Sequence, residues 1–291
     1  MLQEWLNAAR PKTLTASVIP VIVGTALTKA CDYQIHWWIT ILALFSAMAI
    51  QIGTNLVNDA ADFKRGADDE NRVGPRRMTQ SGVFTYKQVM ISGGASFAIA
   101  AILGLPLIWR GGWPILVIGV ASIACGYLYT MSPVALAYNG LADLFVVLFF
   151  GLIAVGGLFF LQTQSLPLDP LIAGVQVGML ATALLAVNNL RDIEGDRRAG
   201  KRTLAVRFGE RFARAEILFM TFVPFLLSFF WIKRGFYLAS LLPFLVSPVA
   251  WRLVEKVYKF EPGTIFNRLL ARAAFLHFLF GLLLNLGFLL K

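Results

Sequence analysis

Apolar runs of about 20 residues, separated by short polar stretches, recur from one end of this chain to the other. A run of that length is what an α-helix needs to cross the hydrocarbon core of a bilayer. Nine such windows can be placed, at about 13–30, 37–57, 88–109, 112–130, 141–161, 169–190, 213–232, 236–254 and 270–290. The sequence therefore predicts an all-α polytopic membrane protein with nine transmembrane helices in a single domain, 1–291. Hydrophobic residues make up 58% of the chain and charged ones 14%, more apolar surface than one soluble core of this size can hide. Pro20, Pro106, Pro224, Pro243 and Pro248 fall within the windows and read as packing or kink positions, which helix bundles in lipid tolerate.

The net charge is +10, a balance that in a soluble protein would raise the question of nucleic acid. The placement of the basic residues answers it. Lys29, Arg110, Lys233, Arg234 and Lys291 lie on one side of the expected topology, and the rest of the 26 Lys and Arg lie on the other. Cytoplasmic segments carry such an excess, so the N-terminus and two long polar loops, about 58–87 and 188–212, are expected to face the cytoplasm from the cell's inner (plasma) membrane. The lipid bilayer is the expected partner and no nucleic acid is called for. MLQEWLNAARPK has no small-residue cleavage pattern and is not read as a removable signal. Cys31 and Cys125 are isolated, which excludes a disulfide framework or a zinc site.

The two long loops resemble each other. NLVNDAADFKRGADDENR ends the second window and VNNLRDIEGDRRAGKRTL the sixth, so an acidic cluster followed by a basic stretch recurs after four intervening helices. This predicts a parallel internal repeat, about 10–130 and 140–255, plus a ninth helix, with a shared site between the halves. Asn188, Asp192 and Asp196 fall at i, i+4 and i+8, one face of a helix. Asn58 and Asp62 repeat the i, i+4 spacing, with Asp59 one residue off and Asp68 further on. Like charges at that spacing repel unless a cation offsets them. Carboxylate and amide oxygens without Cys or His are hard ligands suited to Mg²⁺, and because Mg²⁺ takes few protein carboxylates together with phosphate oxygens, facing clusters suggest a bound diphosphate. Arg10, Arg72, Arg76, Arg77, Lys201 and Arg202 lie close by in sequence to neutralise it. Solvated loop charge explains the basic residues, which serve topology, but not the repeated Asn and Asp spacing, since acids contribute little to orientation.

Weaker candidates accompany these. Asp143 opens the fifth window, where a carboxylate serves either a site or a helix N-terminus. Tyr127, Tyr129 and Tyr138 flank the fourth window as an interfacial aromatic belt, or as faces for an allylic cation. Asp143 and Tyr138 are carried forward as candidates for an acceptor or prenyl pocket. His36 and His277 read as structural.

At this point the chain resembles the UbiA superfamily of intramembrane prenyltransferases, through the ARPKTL entry to the first helix, the Asn-Asp-x-x-Asp cluster and the Asn-x-x-x-Asp-x-x-x-Asp cluster. Within it, DFKRGADDE, RRMTQSG and NNLRDIEGDRRAGKRTLAVRFG look like the branch that prenylates 1,4-dihydroxy-2-naphthoate in menaquinone synthesis. The superfamily pattern sets a third Asp where this chain has Gly66, with the acid at Asp68 instead, as in that branch. The resemblance implies a nine-helix bundle in which Asn58, Asp62, Asp68, Asn188, Asp192 and Asp196 hold Mg²⁺ and diphosphate. Arg10, Arg72, Lys201 and Arg202 would neutralise the charge, and Asp62, Asp192 and Asp196 would be catalytic. It implies transfer from an all-trans-polyprenyl diphosphate to dihydroxynaphthoate with loss of CO₂. The rival readings are another aromatic acceptor, such as 4-hydroxybenzoate, and a secondary transporter, whose site should lie nearer mid-membrane.

Overall fold

The computed structural model describes residues 2–65, 73–74, 77–131, 138 and 140–291. Its helices are α1 (Leu2–Ala9), α2 (Pro11–Ala30), α3 (Trp37–Lys64), α4 (Tyr86–Gly111), α5 (Trp113–Leu128), α6 (Ala142–Val147), α7 (Ala154–Thr163), α8 (Leu168–Arg191), α9 (Ile193–Arg198), α10 (Leu204–Leu227), α11 (Phe230–Lys233), α12 (Tyr237–Leu241), α13 (Ser247–Lys259) and α14 (Phe266–Leu290). A π-helical turn, Leu148–Ile153, joins α6 to α7 into one span, and a 3₁₀ turn, Leu242–Val246, joins α12 to α13.

Among the described residues, eight spans are long and apolar enough to cross a membrane. The ninth expected window is the shorter helix α5, 16 residues between the turn at Gly112 and Tyr129. At 1.5 Å per residue it runs about 24 Å, below the roughly 30 Å of a hydrocarbon core. Gly112 (φ 69) sits in the left-handed region that glycine enters without cost, and Pro114 follows where a helix start has no use for its missing N–H.

Local signals set the other ends. Thr85 and Gln88 form a reciprocal capping box at α4, and Thr203 accepts from the Val206 amide at α10. α8 is the most deeply buried span. It meets the π-turn through glycine: a methyl at Gly151 would strike the Gly174 backbone, so the two helices touch main chain to main chain. The polar groups this buries are satisfied in place. Gln176 donates to the Pro224 carbonyl (2.8 Å) and accepts from the Trp231 indole (2.9 Å), which avoids the cost of an orphaned group in an apolar interior. At the end of the bundle opposite the acidic clusters, Arg234 grips Asp169 in a fork at 2.5 and 2.6 Å.

The helices run further into the polar stretches than hydropathy indicated. α3 continues to Lys64, so Asn58, Asp59 and Asp62 are helical. The stretch 188–212 is likewise mostly helix, bent once at Asp192 (φ −97, ψ 9) and turned back at Gly200 (φ 71). Asn188, Asp192 and Asp196 therefore do not share one straight helix as the spacing predicted. The i→i−4 pattern nonetheless survives across the bend, with Asp192 N donating to Asn188 O (3.1 Å) and Asp196 N to Asp192 O (2.8 Å).

Candidate active site

The two acidic stretches end at the mouth of one cavity of about 930 Å³, lined by Asn58, Asp62, Asn188, Asp192 and Asp196 at its polar end and by apolar side chains of α3, α4, α5 and α7 deeper in. That volume is in the upper range of small-molecule sites.

Each residue of the first cluster has a distinct task. Asn55 donates to the Ala9 carbonyl (3.0 Å) and the Thr13 hydroxyl (3.1 Å), fastening the α1–α2 junction to α3. Arg10 in that junction lines the cavity and has φ 54, a left-handed conformation unusual for a non-glycine residue and further restricted by the following proline. Asn58 accepts from Thr130 (3.1 Å). Asp59 faces away from the cavity, and its two oxygens accept the backbone amides of Met78 (3.0 Å) and Thr79 (3.1 Å), anchoring the return loop. Asp62, only 1% exposed, accepts from Tyr138 (3.0 Å), Arg77 (3.3 Å) and Lys201 (3.3 Å).

The second cluster is built around Arg191, a buried residue that sequence reading passed over. Its guanidinium spans Asp192 with Nε and Nη2 at 2.8 and 2.6 Å, Asn188 at 2.8 Å and Asn267 at 2.8 Å. Asn267, in the first turn of α14, also donates to the Val73 carbonyl (3.0 Å), so the last helix ties the second cluster to the loop that follows the first. Lys201 is returned over the site by the Gly200 turn and stands 3.6 Å from Asp196. Burial pushes the Asp196 carboxyl up to about 6, with Lys201 pulling the other way and Asp192 and Asp62 adding to the rise. Burial and the Asp62 carboxylate also hold the Tyr138 phenol above its ordinary range, so it donates to Asp62 as a neutral group. Arg65 stacks over the Tyr138 ring at 4.4 Å.

The structure therefore brings Arg10, Asn58, Asp62, Asn188, Asp192, Asp196 and Lys201 to one mouth, and adds Arg77, Arg191 and Asn267. Tyr138 stands at Asp62 but does not line the cavity. Arg202 is exposed and contributes its backbone amide to the Tyr138 carbonyl (3.0 Å), while its side chain is not part of the lining. Asp143 is also outside the lining. It is 3% exposed beside α8, and neither carboxylate oxygen has a hydrogen-bond partner among the described residues. Asp68, Arg72 and Arg76 lie outside the described residues. His277 is buried in α14, and its Nε2 finds no partner among the described residues.

Among the described residues no three His, Cys, Asp or Glu side chains already converge on a point; cationic side chains stand between the acids. The donor chemistry still fits a hard divalent ion. All the donors are oxygen, and a diphosphate bound among Arg10, Arg77 and Lys201 would complete the shell that two or three protein oxygens begin.

Residues 17–282 match the UbiA prenyltransferase family. The chain is 38% identical over 216 residues to the 1,4-dihydroxy-2-naphthoate octaprenyltransferase of Mycobacterium tuberculosis, covering 74% of this chain and 73% of that one. It is 31% identical over 290 residues to the enzyme of the same name from Bacillus subtilis, covering 97% and 91%. In three dimensions it overlays a UbiA homologue from Archaeoglobus fulgidus bound to GPP and Mg²⁺ with a TM-score of 0.67 at 15% identity, over 99% of this chain and 100% of that one. The chain belongs to the UbiA prenyltransferase family.

Proposed function

We propose that this protein transfers a polyprenyl group from an all-trans-polyprenyl diphosphate to 1,4-dihydroxy-2-naphthoate, releasing diphosphate and CO₂ and giving demethylmenaquinol. The observation that carries the reading is the meeting of both acidic clusters at one end of an apolar cavity, bridged by Lys201 between Asp62 and Asp196. The relatives named for dihydroxynaphthoate support the choice of acceptor.

Asn58 and Asp62 on one side, and Asn188, Asp192 and Asp196 on the other, are the residues that would hold Mg²⁺. Bound there, the ion would neutralise the diphosphate and make it a better leaving group. Arg10, Arg77 and Lys201 orient the diphosphate and offset the charge that grows on it as the allylic C–O bond breaks, with the electron pair passing to the leaving oxygen. Asp62 is preorganised for this by its three donors, and Asp59 fixes the loop that carries Arg77. The electron-rich naphthoate ring attacks the allylic carbon, a C–C bond forms and CO₂ leaves. The apolar walls keep water from the allylic cation.

The placement of Lys and Arg supports an inner-membrane location with the acidic mouth at the cytoplasm. The halves about 10–130 and 140–255 act as pseudo-repeats that each deliver one cluster. Incubating the purified protein with a labelled prenyl diphosphate and either dihydroxynaphthoate or 4-hydroxybenzoate tests the reading. Label should pass to the naphthoate; transfer to the benzoate alone would reject this acceptor.

A further inference from the structure

One flank of the cavity is sealed. α2 and α14 press together so closely that a methyl at Gly281 would collide with the Ile19 side chain. The flank between α4 and α5 differs. Leu105 of α4 and Leu116 and Val120 of α5 line the cavity, yet they are 62%, 46% and 60% exposed on the outside of the bundle. A side chain that faces both a cavity and the surroundings stands at an opening. Gly104 and Gly119 line the same stretch, and a Cβ built on either meets nothing within 4 Å.

This open space separates these two glycines from those that allow helices to touch. At Gly53 and Gly126 a methyl would run into Phe97 and Thr54, and at Gly151 into backbone, so helix packing accounts for the missing side chain. It does not account for Gly104 or Gly119. Protein interiors leave little unfilled space, since a void forfeits the dispersion contacts of its walls. An opening in the apolar part of a bundle is accordingly a place where a flexible hydrocarbon lies.

We infer that the seam between α4 and α5 carries the hydrocarbon tail of the donor from the acidic mouth out into lipid, and that Gly104 and Gly119 set the bulk and length it admits. This rests on the proposed prenyl diphosphate donor. Gly119 lies ten residues from Tyr129 at the acidic end of α5, about 15 Å along the helix. A two-unit tail is spent within the enclosed part of the cavity, whereas an eight-unit tail must cross the seam.

The test is donor discrimination in full-length Gly104→Phe and Gly119→Phe. With an eight-unit donor kcat/KM should fall about tenfold or more, the scale on which an apolar pocket rejects misfitting bulk. With geranyl diphosphate it should stay within about twofold of the parent, since nothing at the mouth has changed. Equal loss with both donors, or no loss with either, overturns the route. A second measurement needs neither variant nor turnover. A prenyl diphosphate analogue with a photoactivatable group at the tail end, bound to the wild-type protein and displaced by excess inorganic diphosphate, should label α4 and α5 peptides. Labelling of α2 and α14 instead overturns the proposal. Labelling at α4 and α5 without transfer to any acceptor would leave the route standing and reject the proposed reaction.

Discussion

Lys201 Nζ lies 3.3 Å from Asp62 Oδ2 across 139 residues of sequence, and the same ammonium stands 3.6 Å from Asp196. One cation thus ties the end of α3 to the turn after α9, where the diphosphate is proposed to sit. Replacing Lys201 with Met keeps the stem and removes the charge. Turnover with prenyl diphosphate should fall about 100-fold or more, the usual loss when one preorganised charge-stabilising donor is removed. Steady-state kinetics on membranes checks it, and a kcat within a factor of about three of the parent would exclude Lys201 from the site.

Asp59 and Asp62 are three residues apart and should separate cleanly. Asp59 holds two backbone amides and is turned from the cavity, so Asp59→Ala should cost about 2–3 kcal/mol of stability by leaving those donors unpaired. Asp62→Asn, close in shape, should leave the melting temperature near that of the parent and abolish transfer. Thermal melts in detergent and product assays on the same preparations distinguish the two.

Asn267 acts through Arg191 and Val73. Asn267→Leu removes both contacts, so KM for the prenyl diphosphate should rise several-fold while KM for the acceptor is unchanged. A parallel rise in both would mean that α14 affects the bundle as a whole. Arg191→Met is more severe, because it leaves the partly buried Asp192 without its fork; a loss of about 3–5 kcal/mol is expected from breaking such a pair.

Asp196 links the site to pH. Its carboxyl, raised to about 6 by burial, must be ionised to ligate a divalent ion, so protons compete with the ion once pH falls below that value. The Mg²⁺ concentration for half-maximal activity should therefore rise as pH is lowered from 7 to 5, and chelation should stop turnover reversibly. A Mg²⁺ requirement independent of pH over that range would contradict Asp196 as a ligand.

The spans and the two acidic clusters were legible because each leaves a local trace, an apolar run of membrane length or a carboxylate spacing at helical period. What was not legible depends on contacts between distant segments. Arg191 sits next to Asp192 but gave no sign that it would be buried as a clamp. Asn267 lies 76 residues from Arg191, and nothing near it in sequence marks it. The bend at Asp192 was missed because spacing alone assumes a straight helix. The helical extension of α3 to Lys64 was missed because hydropathy ends a helix where polarity begins, although a polar cavity satisfies those side chains inside the bundle. Arg202 shows the reverse failure: its neighbour Lys201 enters the site while its own side chain turns to the surface.

Mass spectrometry of the product made from 1,4-dihydroxy-2-naphthoate and an all-trans-polyprenyl diphosphate, by the parent and by Asp62→Asn, tests the central claim most directly. The account predicts a prenylated naphthalenediol lighter than the simple adduct by one CO₂, formed by the parent and absent with the variant. A product that keeps the carboxylate, equal product from the variant, or none from the parent with a donor of any length would contradict it.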